Sequence, residues 1–129
     1  MTHKEDSGIS PDVVTEILKF RDDREWKPFH NPKDLAISLS LEASELLEIF
    51  QWSADDLEVV EKRGAMAEEL ADVLIYAVML ADISGLNLND IIKAKMEKNA
   101  LRYPADRAKG LRKKYTELKA LARAKDAEN

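Results

Sequence analysis

Along this chain the apolar positions fall into blocks with helical spacing, separated by short polar or proline-containing breaks. Val13, Val14, Ile17, Leu18 and Phe20 give an apolar side to a first helix. It is predicted to begin after Ser10, with Pro11 at its first position, and to run to about residue 24. Residues 26–32 hold two prolines and read as a loop. Asn31 or Pro32 opens a second helix continuing to about Gln51, and Ser53 is placed to cap a short acidic turn over 54–62. Gly64 is read as a break. A third helix is predicted from Ala65 to about Ser84, ending at Gly85, a residue suited to a helix C-terminus. Asn87 or Asn89 caps a fourth helix that reaches about Tyr103 and is stopped by Pro104. The rest, 105–129, is basic and polar, and is expected to be partly helical or frayed. The pattern is therefore all-α.

Composition fits one domain over 1–129, with 1–10 and about 116–129 as flexible tails. Only 4 Gly and 4 Pro are present, too few to punctuate a fold of many short strands. There is no cysteine, which excludes a disulfide framework and a thiolate zinc site. The start is polar and lacks the apolar run of a signal peptide. The longest apolar stretch, 70–81, is interrupted by Asp72 and is too short to span a bilayer. A soluble, cytoplasmic protein with no membrane partner is expected.

Charge adds more by its distribution than by its sum. The net charge of −5 argues against a nucleic-acid partner. From 34 to 61 there are eight acids and no Lys, Arg or His, and from 64 to 92 five acids and again no base. Twelve of the twenty Lys and Arg lie between 93 and 125. The central acids must therefore find water, a metal or a distant helix.

Four of these acids are arranged in pairs. Glu42 and Glu45 stand three apart on the second helix, and Glu69 and Asp72 three apart on the third, so each pair shares a face. Leu35, Glu42, Glu45, Ile49 and Trp52 form one stripe, and Ala65, Glu69, Asp72, Tyr76 and Met79 another. Such spacing belongs to the seam between packed helices, yet acids occupy its centre. Around Asp72, the residues Leu70, Ala71, Val73, Leu74, Ile75, Ala77, Val78 and Leu80 leave almost no polar face, which implies burial in a core or a subunit interface. An ionised carboxylate there is costly unless paired or metal-bound. Oxygen-only ligands that leave room for water and phosphate select Mg²⁺, with Mn²⁺ as a substitute. Glu48, Glu58, Glu61 and Glu68 are read as solvated surface acids. A di-iron site needs Glu-x-x-His pairs, whereas His3 and His30 lie outside these helices.

With these residues in view, the chain resembles the MazG-like, all-α nucleotide pyrophosphohydrolases, and among them the dCTP pyrophosphatase branch. The resemblance runs over residues 25–30, 42–52, 69–76 and 95–104, in that order, within a span of about 13–115. It implies a four-helix bundle assembled as a homodimer or homotetramer, and hydrolysis of a nucleoside triphosphate to monophosphate and pyrophosphate. It implies Mg²⁺ held by Glu42, Glu45, Glu69 and Asp72. It also implies a base pocket of Trp26, Lys27, Pro28, Phe29, His30, Trp52 and Tyr76, with Lys95 and Asn99 facing the substrate. Relatives in this branch carry a His in the first helix where this chain has none, so base selectivity does not carry over with the metal chemistry.

The residues themselves suit those roles. Lys95, Asn99 and Arg102 recur at helical spacing and offer cations and an amide to phosphate oxygens. Trp26, Phe29, Trp52 and Tyr76 suit base stacking, and each suits a core position equally. Glu45 is the preferred carboxylate to orient the attacking water or accept its proton, although spacing alone does not assign that base. Deoxynucleotides such as dCTP are the expected substrates. The competing reading is a non-enzymatic helical dimerisation or interaction module, with the third helix as its seam.

Overall fold

The computed structural model of the chain describes residues 9–51, 61–108, 119–120, 123–124 and 126–127. It is all-α, with helices α1 (Pro11–Asp23), α2 (Pro32–Glu48), α3 (Arg63–Ile83) and α4 (Leu88–Arg102) and a short α5 (Ala105–Ala108). There is no strand among the described residues. Two compact units divide the chain, Met1–Leu86 with α1 to α3 and Asn87–Asn129 with α4 and α5. No helix of the described residues is long and apolar enough to cross a membrane.

Three helix starts follow from local chemistry. The Ser10 hydroxyl accepts a hydrogen bond from the Val13 amide, and Pro11 needs no partner at a position where the amide would be orphaned anyway. Asn31 accepts from the Asp34 amide at 2.9 Å and donates to its carboxylate, while Asn87 accepts from the Asp90 amide at 3.1 Å. Of the openings left between Asn31 and Pro32 and between Asn87 and Asn89, Asn31 and Asn87 are the caps, and Ser10 caps α1.

Two boundaries move. Gly64 does not break the chain; it lies in the first turn of α3, which begins at Arg63. First-turn residues make few intrahelical bonds through their own amides, so the usual cost of Gly is small there. Helix α2 stops at Glu48 instead of reaching Gln51, because Phe50 and Gln51 donate to the carbonyls three residues back and tighten the chain into turns. The expected turn over 54–62 lies mostly outside the described residues. Inside the 26–32 loop, Lys27–Phe29 forms one turn of 3₁₀-helix.

Both α1 and α3 close with the same device. At the end of α3 the Leu86 amide donates to the Ala81 carbonyl and the Gly85 amide to that of Asp82, with Gly85 at φ 65°. At the end of α1, Trp26 donates to Arg21 and Glu25 to Asp22, with Glu25 at φ 54°. The left-handed position expected of glycine is thus filled once by Gly85 and once by a glutamate.

In the first unit α3 packs against both α2 and α1. Its buried apolar residues are Leu35, Val78, Met79 and Ala81. On α1, Val14, Ile17 and Leu18 are half-buried, whereas Val13 and Phe20 are exposed. Helix α3, apolar nearly all round, is buried or half-buried at every position from Ile75 to Ala81, whereas Leu70 and Leu74 remain exposed.

Candidate functional site

Packing of α2 on α3 turns the two acid pairs toward one another. One carboxylate oxygen from each of Glu42, Glu69 and Asp72 lies within 4.8 Å of the other two. All three side chains are half-buried, and Glu45 is more exposed beside them. One oxygen in each of two residues, Oε2 of Glu42 and of Glu69, is shut off from solvent and has no hydrogen-bond partner. Unpaired buried carboxylate oxygens are costly, and costlier still next to other negative groups. Burial, reinforced by Glu45, Asp72 and Glu69, pushes the Glu42 carboxyl up to about 7. Glu69 is raised from its ordinary value by burial and by Glu45, Asp72 and Glu68.

No cation relieves this crowding by way of the ion pairs at Lys19, Arg21 and Arg102, all of which go to acids outside the cluster. The ligand atoms are oxygens only, they converge within 4.8 Å, and two of the three side chains also hold an orphaned buried oxygen. That set fits a hard divalent cation. Glu48, Glu61 and Glu68 are exposed as expected of surface acids, and Glu58 lies outside the described residues.

The remaining expected residues are distributed as follows. Trp26 and Phe29 are 45% and 76% exposed, on the loop that leads from α1 into α2. An open pocket of about 500 Å³ beside that loop is lined by Asp22, Glu25, Lys27, Pro28 and Phe29 and by none of the four acids. His30 is half-buried, its Nδ1 shielded and without a partner, and burial together with the Arg21 charge holds its pKa below the ordinary value. Tyr76 is half-buried on α3, one turn beyond Asp72. Trp52 lies outside the described residues. Lys95, Asn99 and Arg102 all lie on α4 in the second unit. There Lys95 is exposed, Asn99 is half-buried, and Arg102 is ion-paired to Asp126 rather than open.

Sequence reasoning singled out neither Arg21 nor Asp82. The Arg21 side chain is 2% exposed and donates to Asp82 Oδ2 at 2.7 Å and Asp22 Oδ1 at 2.9 Å. The signal was present: Asp82 also interrupts an apolar helix with no base nearby. Its answer is a distant arginine, whereas Asp72 converges with the carboxylates of Glu42 and Glu69.

Residues 37–118 match the MazG-like family. The chain is 40% identical over 121 residues to dCTP pyrophosphatase 1 of Homo sapiens, covering 86% of this chain and 71% of that protein. It is 39% identical over 120 residues to dCTP pyrophosphatase 1 of Mus musculus, covering 85% and 71%. Among solved structures, a pyrophosphatase from Archaeoglobus fulgidus superposes with a TM-score of 0.70 at 40% identity, covering 81% of this chain and 95% of that one.

Proposed function

Because the chain belongs to the MazG-like family, we propose that it is a divalent-cation-dependent nucleotide pyrophosphatase, which hydrolyses a nucleoside triphosphate, such as dCTP, to the monophosphate and pyrophosphate. The observation carrying this reading is the triad of carboxylate oxygens from Glu42, Glu69 and Asp72 within 4.8 Å of one another, two of those side chains holding an orphaned buried oxygen. With Glu45 beside them, these residues would hold Mg²⁺, or Mn²⁺ in its stead. When bound, such a dication offsets the phosphate charge and polarises the phosphorus under attack.

The chain's own residues then divide the work. Glu45, the most exposed of the four acids, is suited to orient the water and take its proton as a bond forms to the α-phosphorus. The bond from the α-phosphorus to the bridging oxygen breaks, and pyrophosphate leaves with that oxygen. Trp26 and Phe29 offer exposed aromatic faces for the base, and Lys27, Pro28, His30, Trp52 and Tyr76 are assigned to base binding with them. Lys95, Asn99 and Arg102 are assigned to the phosphates, which requires Arg102 to exchange Asp126 for substrate.

Self-association is part of the proposal. Ile37, Leu41 and Leu47 on α2 and Leu70 and Leu74 on α3 are exposed, and such apolar side chains suit an interface between copies of the chain. A homodimer or homotetramer would cover it.

The test is product analysis by phosphorus NMR of the protein incubated with dCTP and Mg²⁺. Appearance of dCMP with pyrophosphate supports the reading. Inactivity across the common and modified triphosphates, or release of orthophosphate as first product, sinks it.

A further inference from the structure

Pyrophosphate chemistry gives no task to Arg21, although it is the one charged side chain buried among the described residues. Burying a guanidinium is unfavourable unless its donors are well paired. Here burial opposes the charge, but the hydrogen bonds to Asp22 and Asp82 outweigh it and raise the pKa above its usual value. The Asp82 bond crosses from the last turn of α1 to the last turn of α3.

The same residue also holds the chain that follows. The Arg21 carbonyl accepts from the Arg24 amide at 3.3 Å and the Trp26 amide at 3.2 Å. Between them Glu25 sits at φ 54°, a conformation that L side chains avoid and that persists only when the surroundings enforce it. The Trp26 ring then meets Phe20 edge-on with centroids 5.8 Å apart, and the Arg24 guanidinium lies 3.5 Å over the Phe20 ring. Helix α3, to which Arg21 is tied, is the one that carries Glu69 and Asp72. One side chain therefore joins the root of the aromatic loop to the acid-bearing helix.

We propose that Arg21 is a positioning residue: its ion pair with Asp82 fixes the Trp26–His30 loop on α3 and thereby sets the affinity for the nucleotide base. The clamp stands on geometry; its consequence for affinity rests on the pyrophosphatase reading. An arginine that merely stabilised the fold would weaken every helix alike. A positioning arginine affects the loop first, and substrate binding before turnover.

The experiment compares the full-length wild type with Arg21→Met, Arg21→Lys and Asp82→Asn. Amide hydrogen exchange is read without nucleotide, and KM and kcat with dCTP and Mg²⁺. Arg21→Met and Asp82→Asn are expected to speed exchange in residues 24–30 about tenfold and leave α2 unchanged. KM should rise about tenfold while kcat stays within about threefold, the pattern of lost binding rather than lost chemistry. Arg21→Lys keeps one ion pair without the fork and should recover most of the affinity. Unchanged loop exchange in Asp82→Asn overturns the clamp, and so does exchange that accelerates equally throughout α2. A faster loop with unchanged KM overturns the link to affinity. Should Arg21→Met fail to fold, Asp82→Asn decides alone, because the Asp82 side chain is one-third exposed and its loss is milder. A wild type that hydrolyses no triphosphate defeats the functional reading, and the exchange data still decide the clamp.

Discussion

Replacing Glu42 by Gln in metal-free protein gives the most direct measure of the strain in the acid cluster. The Glu42 carboxyl is pushed from its ordinary value of 4.5 to about 7, by burial first and then by Glu45, Asp72 and Glu69. Because its folded-state value lies above that of the unfolded chain, the stabilising contribution of the proton is complete below about pH 4.5 and is lost as the pH climbs through about 7. A displacement of that size is worth at most about 3 kcal/mol. The side chain is only half-buried, so solvent screening reduces the strain to about 1–2 kcal/mol. Glutamine keeps the shape without the charge. At about pH 8 in a chelator, Glu42→Gln should therefore melt about 3–8 °C above wild type, and at about pH 5 the two should nearly coincide. Adding Mg²⁺ about 100-fold above its Kd should stabilise wild type by about 2.7 kcal/mol and the variant much less, reversing the order. Circular dichroism melts at both pH values, with and without the cation, supply the measurement. A variant less stable than wild type in chelator at the higher pH, or an equal gain from Mg²⁺ in both proteins, would refute the argument.

Other consequences are as accessible. Asp72→Asn should lower turnover by at least about 100-fold while leaving the far-ultraviolet spectrum intact, since a neutral amide is a poor ligand for a hard cation; a loss of helicity would mean that the acid is structural. Glu25→Gly should raise stability by about 1 kcal/mol in urea denaturation, because glycine adopts a φ of 54° without the steric cost of a Cβ. A lower midpoint would contradict that account of the α1 terminus. Sedimentation at micromolar concentration should report more than one chain per particle, and Leu70→Glu with Leu74→Glu should shift it toward monomer. A stable wild-type monomer would refute the proposed association.

What could be read without coordinates was whatever is encoded within a turn or two of the chain. The helix starts after Ser10, at Asn31 or Pro32 and at Asn87 or Asn89, and the stop at Gly85, are visible because a helix end is decided by its nearest neighbours. The pairing of Glu42 with Glu45 and of Glu69 with Asp72 was legible for a related reason, since acids three apart share one helix face, and the packing of α2 on α3 then brings Glu42, Glu69 and Asp72 together. Local rules misjudged Gly64, whose first-turn position removes the penalty that made it look like a break. They also gave no sign that a glutamate would occupy the left-handed end of α1.

Only the tertiary structure decided which buried charges are matched and which are not. Asp72 and Asp82 look alike in the sequence, each a carboxylate on an apolar helix with no base within reach along the chain. Folding brings Arg21 against Asp82, 61 positions away, and brings the carboxylates of Glu42 and Glu69 to within 4.8 Å of that of Asp72. The energy of a charge in a partly desolvated place depends on what stands within a few ångströms of it. That neighbour is fixed by the packing of α1 and α2 on α3, not by the residues on either side.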